Sequence, residues 1–242
     1  MYYTLITGAS SGMGALCAKQ LSSSRKLILA SEDLERLQTV LADCSHPENH
    51  ILWHCNFATE RDEIADSLAK LLKDYNVVID EYVHFAGITK LSPIKTVSIP
   101  EIDMVFNVNF FSILEVLKTL LKKINGKALE CIILISSMVS ERGEAGNSVY
   151  AASKGAINSL VYSLARELAP QVRINALLPG AVKAPMSKVN LSDEYIVDTL
   201  KDTPLGWVSR QDVIDYVEFL LSSKARKITG QALFIDGGRS TK

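Results

Sequence analysis

Short apolar runs alternate with longer helical patterns along the chain, and this alternation constrains the fold more than any other feature. Runs rich in β-branched and aliphatic residues fall at 2–7, 26–30, 51–55, 78–85, 129–135, 172–178 and 231–235. Stretches with helical periodicity lie between them, at about 12–24, 33–43, 60–74, 101–124, 149–169 and 210–222. Such alternation is typical of repeated βαβ units, in which crossover helices join parallel strands. The sequence therefore predicts an α/β fold, a doubly wound parallel seven-stranded sheet with helices on both faces.

The size and composition of the chain suit one domain. Undivided α/β domains often reach about 200–250 residues, and this chain has 242. Hydrophobic residues make up 48% and charged residues 22%, which supplies a large core and argues against disorder. Because no repeat, linker-like stretch or low-complexity tract is found, we treat residues 1–242 as a single domain.

Charge and hydropathy argue against nucleic acid and membrane partners. A net charge of −1 gives no basic surface for nucleic acid. The longest apolar runs are far shorter than the roughly 20 residues that a membrane span needs. No Cys-x-x-Cys pair occurs, which indicates reduced, mostly buried thiols at Cys17, Cys44, Cys55 and Cys131. The first residues resemble a strand rather than a signal peptide, so a cytoplasmic protein is the simplest inference.

A glycine-rich turn follows the first predicted strand, with the sequence Thr7-Gly8-Ala9-Ser10-Ser11-Gly12-Met13-Gly14. Its glycines allow a tight turn and a close approach of the backbone to a ligand. The next helix offers unpaired N–H groups and a positive dipole end, which suit a pyrophosphate. A plain strand-to-helix turn is the alternative, but the position after the first strand favours dinucleotide binding in a Rossmann-type fold. The predicted contacts are Gly8, Ser10, Ser11, Gly12, Met13 and Gly14.

Two polar residues end the second predicted strand. In this architecture an acidic residue about 20 positions beyond the glycines holds the adenosine ribose hydroxyls, and Glu32 fits that place. The same stretch suits a helix N-terminus, with Ser31 as the cap and acids in the first turn. The two roles are compatible, and both residues are predicted cofactor contacts.

Tyr150 and Lys154 are four residues apart in a predicted helix. This spacing places both side chains on one helix face. A phenol ionises near pH ~10, and a neighbouring ammonium lowers its pKa. A tyrosine tuned in this way can give a proton to a carbonyl oxygen or take one from an alcohol. An ordinary helix with one aromatic residue and one solvated lysine is the alternative reading.

Other polar residues lie at strand ends or inside apolar patterns. The small residues Ala86 and Gly87 let a cofactor pass close to the end of the fourth strand, where His84 is interpreted as a packed core or sheet-edge histidine rather than a catalyst. Asn109 lies in an apolar helical pattern, so it is either a buried hydrogen-bond anchor or part of the site. Ser136 and Ser137 follow the fifth strand, where open α/β sheets bind ligands, although serine also suits a strand-ending turn.

A metal site is considered at His46, His50 and His54, which are spaced by four residues and lie near two cysteines. Pro47 interrupts any helix there, and the residues from 51 onward resemble a strand. The spacing therefore does not place the three imidazoles on one face, and no metal site is predicted.

Taken together, these motifs resemble the short-chain dehydrogenase/reductase family in its single-domain form, from Thr7 to Gly238. The resemblance is carried by the glycine-rich turn, Asn109, Ser137, Tyr150 with Lys154, Pro179-Gly180, Thr229-Gly230-Gln231 and Asp236-Gly237-Gly238. Within the family the chain is most similar to beta-ketoacyl carrier-protein reductases and their relatives. The implied activity is NAD(P)-dependent interconversion of a ketone, such as a 3-oxoacyl thioester, and a secondary alcohol.

The resemblance implies a role for each of four residues. Tyr150 would be the general acid/base, and Lys154 would bind the nicotinamide ribose and lower the tyrosine pKa. Ser137 would hydrogen-bond the substrate oxygen, because the serine of the family lies thirteen positions before its tyrosine. Asn109 would hold a water that links Lys154 to solvent.

The resemblance also implies cofactor contacts, at Asn56, Phe57, Ala86, Gly87, Tyr150, Lys154, Pro179, Gly180 and Val182. Three positions depart from the family pattern. The usual Asn-Asn-Ala-Gly is His84-Phe85-Ala86-Gly87, the usual acid after strand three is Asn56, and a frequent Thr is Ala184. Because all three concern the cofactor, a dinucleotide-binding sensor or scaffold without useful catalysis is the alternative function.

The sequence favours NAD(H) over NADP(H). A 2′-phosphate needs cationic neighbours, whereas the two positions that are often basic in phosphate-preferring relatives hold Ser11 and the pair Ser31 and Glu32. The carboxylate of Glu32 would repel a phosphate and accept hydrogen bonds from ribose hydroxyls. Against this, NAD-preferring relatives usually have Asp where Ser31 stands, and Arg36 is close enough in sequence to reach a phosphate.

Substrate and assembly are expected from the resemblance alone. The substrate is expected to be a small carbonyl or alcohol, with a carrier-linked form as one option, selected by residues near 141–147 and by a mobile covering segment at about 185–205. The family usually forms homotetramers. Apolar residues on more than one face of the helical stretches at 101–124 and 149–169 agree with that: Phe110, Phe111, Leu160, Val161 and Leu164.

Overall fold

The computed structural model of the protein describes residues 1–182 and 199–241. Its strands are β1 (Tyr2–Thr7), β2 (Leu27–Ser31), β3 (Ile51–His54), β4 (Val78–His84), β5 (Cys131–Ile135), β6 (Arg173–Pro179) and β7 (Ala232–Ile235). They form one sheet in the order β3-β2-β1-β4-β5-β6-β7. Every neighbouring pair is parallel. The predicted seven-stranded, doubly wound sheet is confirmed.

The helices occupy the predicted stretches, with one interruption and one addition. They are α1 (Gly12–Leu21), α2 (Leu34–Ala42), α3 (Ile64–Tyr75), α4 (Ile99–Phe106), α5 (Ser112–Leu120), α6 (Val139–Arg142), α7 (Ser148–Glu167) and α8 (Arg210–Leu221). The helix predicted as continuous over 101–124 is divided by a π-helical turn at Asn107–Phe111. The short helix α6 was not predicted. Residues 185–198 of the predicted covering segment, and Ala184, lie outside the described residues.

Successive side chains along each strand point to opposite faces of the sheet. Both faces are buried, each in its own hydrophobic core. Leu5 contributes to a hydrophobic core that α3, α5 and α7 cover. Its neighbour Ile6 contributes to a second core, covered by α1, α2 and α8. Helices on both faces, as predicted, therefore enclose strands that are mostly apolar. No helix within the two described ranges is long and apolar enough to cross a membrane.

The strand order reverses at β1, because β2 and β3 lie on one side of it and β4 to β7 lie on the other. β1 and β4 are neighbours in the sheet, and the connections that leave them run in opposite directions. At such a switch point the loops that leave the two strands diverge and open a crevice at the carboxyl ends. The glycine-rich turn after β1 and the Ala86-Gly87 pair after β4 both lie at this edge. The fold thus places the predicted cofactor contacts of both strands at one crevice.

Acidic side chains gather near the amino-terminal half of β4. Glu81 accepts hydrogen bonds from Thr4 Oγ1 at 2.6 Å and from Arg25 Nε at 2.7 Å. Partial burial, and then the nearby charge of Glu81, raise the pKa of Asp80 to about 6. The folded state therefore binds a proton at Asp80 more readily than the unfolded chain does, and stability falls as the pH rises through 6.

We expect Asp80→Asn to stabilise the protein at pH 7. Because Asp80 is partly exposed, solvent screening limits the gain to about 1 kcal/mol. The gain should shrink as the pH falls from 6 towards 4, where Asp80 itself becomes protonated. Denaturant unfolding at pH 7 and pH 4.5 measures this, with the exposed Asp74→Asn of α3 as the control. A loss of stability at pH 7 would contradict the prediction.

Candidate active site

The glycine-rich turn between β1 and α1 is shaped to receive a ligand. Gly8 and Gly12 have φ values of +66° and +58°, in the left-handed region that favours glycine. A Cβ on Gly14 would lie 2.2 Å from the carbonyl oxygen of Gly8, so the turn folds back tightly under the helix. The side chain of Ser11 makes no capping hydrogen bond, which leaves the first N–H groups of α1 without a side-chain acceptor. This arrangement fits the pyrophosphate of a dinucleotide.

The end of β2 lies against this turn. Ser31 Oγ is buried and donates to Ser10 Oγ at 2.8 Å, so the two predicted contacts are joined directly. Glu32 follows and is exposed. The interpretation of Ser31 as the cap of α2 is wrong, because Asp33 Oδ1 accepts from Arg36 N at 3.0 Å. The Arg36 side chain also pairs with Asp33, at 3.1 Å.

The residues after β3 fit a cofactor only in part. Asn56 Oδ1 accepts from Ala58 N at 2.9 Å, so this amide shapes its own turn. Phe57 is 5% exposed and packs edge-on against Trp53, with ring centroids 5.9 Å apart. Its side chain therefore lies in the core, and only its backbone is available to a ligand. Met13 likewise packs partly buried against the second core.

Two glycines, Gly8 and Gly180, mark close approaches at the crevice. A Cβ on Gly8 would lie 2.7 Å from Ala86 N, which brings the dinucleotide turn against the end of β4. A Cβ on Gly180 would lie 2.8 Å from the Cα of Asp236, so the segment after Pro179 is packed against the chain that follows β7. Val182 forms an isolated parallel bridge with Val208.

Tyr150 and Lys154 share one face of α7, as predicted. Lys154 Nζ lies 5.8 Å from the centroid of the Tyr150 ring. The Ser137 hydroxyl, just after β5, lies near the Tyr150 phenol and favours its ionised form. Burial raises the pKa of Tyr150, and the bond to Ser137 opposes that rise. The expected lowering by Lys154 is not seen, because removing water from the phenolate outweighs the other influences in this state.

Lys154 is a buried cation, with 4% of its surface exposed. Its ammonium donates to the carbonyl oxygen of Ile135 at 2.7 Å. Burial lowers the pKa of Lys154 to about 8. A Cβ on Gly87 would lie 3.2 Å from Lys154 Nζ and 3.4 Å from Asn109 Oδ1. Both groups therefore converge on the space beside Gly87, and that space suits a ligand rather than a larger side chain.

Asn109 combines the two alternatives that the sequence left open. It is fully buried in the π-helical turn between α4 and α5. Its Oδ1 accepts from Ile88 N at 2.8 Å, and its Nδ2 donates to Ile88 O at 3.0 Å and to Ser153 Oγ at 2.9 Å. The amide thus anchors the chain after β4 and also lies beside Lys154. Single π-turns inside helices are frequent at functional sites.

His84 lies in the core, which confirms its interpretation. It is fully buried, and its Nδ1 lies 2.8 Å from Thr7 Oγ1 and 2.7 Å from the Tyr82 hydroxyl. Burial, and then the charge of Lys154, lower the pKa of His84 to about 3, so the imidazole is neutral. It therefore connects β1 to β4 directly behind the dinucleotide turn.

The remaining histidines and the cysteines have structural surroundings. His50 is buried and accepts from Leu27 N at 3.1 Å, and Pro47 begins a short 3₁₀ turn, so the three histidines share no helix. Among residues 1–182 and 199–241, no group of three or more His, Cys, Asp and Glu side chains is placed to hold a metal ion. All four cysteines are free and buried, as predicted.

Sequence comparison assigns the chain to a family. A family model described as "Enoyl-(Acyl carrier protein) reductase", one of the short-chain dehydrogenase models, matches residues 8–240. The chain belongs to the short-chain dehydrogenase/reductase family. It is 30% identical to the 3-oxoacyl-[acyl-carrier-protein] reductase FabG of Thermotoga maritima over 97% of this chain and 96% of that protein. It is also 30% identical to the L-xylulose reductase of Mus musculus, over 97% and 94%.

Solved structures agree with this assignment. A 4-hydroxyisoleucine dehydrogenase complexed with NADH and succinate has a TM-score of 0.89 at 25% identity, covering 99% of this chain and 100% of that chain. A short-chain dehydrogenase/reductase from Brucella melitensis has a TM-score of 0.88 at 27% identity, over 100% and 97%. The chain is therefore an NAD(P)-dependent oxidoreductase of this family, which interconverts ketones and alcohols.

Proposed function

We propose that Ser137, Tyr150, Lys154 and Asn109 carry the reaction and that the turn at 8–14 binds the dinucleotide. The observation that carries this proposal is the convergence of Lys154 Nζ and Asn109 Oδ1 on the space beside Gly87, at the crevice where the turn lies. A nicotinamide dinucleotide held there would supply or accept the hydride. All proton movement falls to the side chains of this chain.

Tyr150 is the proton donor and acceptor in this scheme. In reduction its hydroxyl protonates the substrate oxygen, while Ser137 donates a hydrogen bond to the same oxygen and orients it. Lys154, four residues along α7, favours the phenolate that remains. Because burial, and to a lesser degree the charge of Glu144, hold the pKa of Tyr150 above its usual range, the site needs a further positive charge, which an oxidised nicotinamide would provide.

Asn109 supports a path for protons between Lys154 and solvent. Its side chain is fully engaged with Ile88 and Ser153, so it holds the π-helical turn in place beside the ammonium. With a pKa of about 8, Lys154 can lose and regain a proton near neutral pH. A water held at this turn would then return protons from solvent to Lys154 and onward to Tyr150.

The substrate that we propose is a small ketone or secondary alcohol, with a 3-oxoacyl thioester as the first class to test. Support comes from relatives named as 3-oxoacyl-[acyl-carrier-protein] reductases, and L-xylulose reductases of similar identity make a polyol the second class. Residues 141–147 beside Ser137 and the segment at about 185–205 would select between them.

The proposal is tested in two steps. Calorimetry first measures binding of NADH and NADPH, and a panel of 3-oxoacyl thioesters, ketoses and simple ketones then measures turnover with the bound cofactor. Turnover of any of these substrates supports the proposal. Cofactor binding without turnover of any class would favour a dinucleotide sensor instead.

We further propose that NAD(H) is preferred to NADP(H). The exposed carboxylate of Glu32 supports this choice, because it would repel a 2′-phosphate. Arg36 supports it as well, because its guanidinium is already paired with Asp33. We expect Glu32→Arg to tighten NADP(H) binding by about tenfold or more, since repulsion is replaced by attraction. Glu35→Arg in α2 is the control for the same change in charge. Tighter binding of NADP(H) than NAD(H) by the wild type would contradict the preference.

A homotetramer in the cytoplasm, built from single-domain subunits, completes the proposal. Val161 is fully buried and belongs to the core, so it is not available to a partner. Exposed apolar side chains on the two helical stretches support an interface, notably Met104 (37% exposed), Leu121 (44%) and Tyr162 (49%). Sedimentation at micromolar concentration should show the tetramer, and a monomer would refute it.

A further inference from the structure

Helix α7 carries a third polar residue on the face that holds Tyr150 and Lys154. Asn158 follows Lys154 by four residues, so it lies one turn further along the same face. It is 2% exposed, although asparagine is neither a strong helix former nor a natural core residue. Neither the hydrophobic packing nor the roles already described account for an amide at this position.

The amide of Asn158 reaches across to α6. Its Nδ2 donates to Ser140 Oγ at 2.9 Å and to Glu141 Oε1 at 2.7 Å. Its Oδ1 is buried and has no hydrogen-bond partner among the described residues. Both Nδ2 hydrogens are thus committed to the short helix that begins directly after the Ser137 turn.

The contact continues to the backbone of Ser137. Ser140 Oγ donates to the carbonyl oxygen of Ser137 at 2.6 Å. A serine hydroxyl has one hydrogen, and Ser140 already donates it to Ser137. Ser140 therefore accepts from Asn158, so both hydrogen bonds run in one direction, from Asn158 through Ser140 to Ser137. A parallel bond runs from Ser136 Oγ to the carbonyl oxygen of Lys154, at 2.9 Å. The turn that carries Ser137 is therefore bonded to α7 at two places, the carbonyl of Lys154 and the amide of Asn158.

We propose that Asn158 is a positioning residue, which acts through Ser140 to hold Ser137 against Tyr150 and so sets the geometry of proton transfer. The inference rests on the proposed function for the identity of the reacting groups. The two bonds that Asn158 donates end on α6, so its effect on the reacting groups is indirect. A buried amide oxygen without a hydrogen-bond partner is unfavourable. The two bonds that Asn158 donates would offset this cost by holding the Ser137 turn in place.

The test compares Asn158→Leu and Ser140→Ala with a matched control, Asn125→Leu. Asn125 is also fully buried, but it donates to Ile79 O at 2.8 Å, at the opposite end of β4 from the site. We expect each of the two test variants to lower kcat by about tenfold or more, because a small displacement of a reacting group is costly. The Kd for cofactor should stay within about twofold of the wild-type value, since the dinucleotide turn is untouched.

The double variant and the control separate positioning from general destabilisation. Since Asn158 acts through Ser140, the double variant should be no slower than the slower single variant. Asn125→Leu should lower the melting temperature and leave kcat unchanged. An unchanged kcat in both single variants, or fully additive losses in the double variant, would overturn the proposal.

A structural readout covers the case in which no substrate of the wild type is found. Failure to turn over the panel would count against the proposed function only. Crystal structures of Asn158→Leu and of the milder Ser140→Ala would still decide the positioning role. A Ser137 hydroxyl displaced away from Tyr150, relative to the wild type, supports it. An unmoved Ser137 in both variants overturns it.

Discussion

Replacing Tyr150 by phenylalanine should lower kcat by at least about 10²-fold, in line with the usual contribution of general acid/base groups. The phenyl ring keeps the packing on α7 but has no proton to give to the substrate oxygen. Ser137, which is within reach of the phenol, also loses that partner. Steady-state kinetics with any substrate found in the panel measures the loss, and calorimetry checks that the variant still binds the cofactor.

A second tyrosine on the same helix supplies the control. Tyr162 lies three turns further along α7 and is 49% exposed, so Tyr162→Phe should leave kcat unchanged. If Tyr150→Phe keeps more than about a tenth of the wild-type kcat, proton transfer by Tyr150 is not the step that the site provides.

Replacing Lys154 by methionine should act in opposite directions on activity and stability. Loss of the ammonium removes support for the phenolate, so kcat should fall by at least about 10²-fold. The same ammonium is buried and has its pKa lowered to about 8, which means that folding is penalised for holding the charge. Methionine fills a similar volume without a charge. At pH 7 the variant should gain up to about 3 kcal/mol, or several degrees in Tm.

The pH dependence gives this prediction its sharper test. The folded state holds the Lys154 proton less tightly than the unfolded chain, so the stability of the wild type rises as the pH increases from 8 towards 10.5. The advantage of Lys154→Met should therefore shrink over that range. Lys118→Met on the exposed side of α5 is the control, and its effect on Tm should be small. A Tm for Lys154→Met below that of the wild type at pH 7 would contradict the argument.

The fold was predictable because its signals are local. Runs such as the one from Cys131 to Ile135 have the composition of a strand buried on both faces, and β-branched residues elsewhere follow the same pattern. The turn from Gly8 to Gly14 was likewise recognisable, because closely spaced glycines after a strand indicate a tight turn. In the structure a larger residue would not fit at Gly8 or Gly14.

The parts that sequence reasoning missed depend on contacts between distant segments. The π-helical turn arises where Asn109 bonds to Ile88, a neighbour 21 residues earlier. Asn158 gave no signal, because its partners lie on α6, a helix too short to show a periodic pattern. The raised pKa of Tyr150 depends on burial, and burial is decided only when the whole crevice has formed.

The central position of β1 also bears on how the chain is assembled as it leaves the ribosome. β2 and then β3 extend the sheet on one side of β1, and β4 to β7 extend it on the other in the order of their synthesis. Each new strand therefore docks on an edge that already exists, and none has to insert between finished neighbours. A nascent chain that has just completed β5 already contains the dinucleotide turn, Gly87 and Asn109, while Tyr150 and Lys154 are still to be made. The dinucleotide turn is thus laid down before the tyrosine and lysine that move protons.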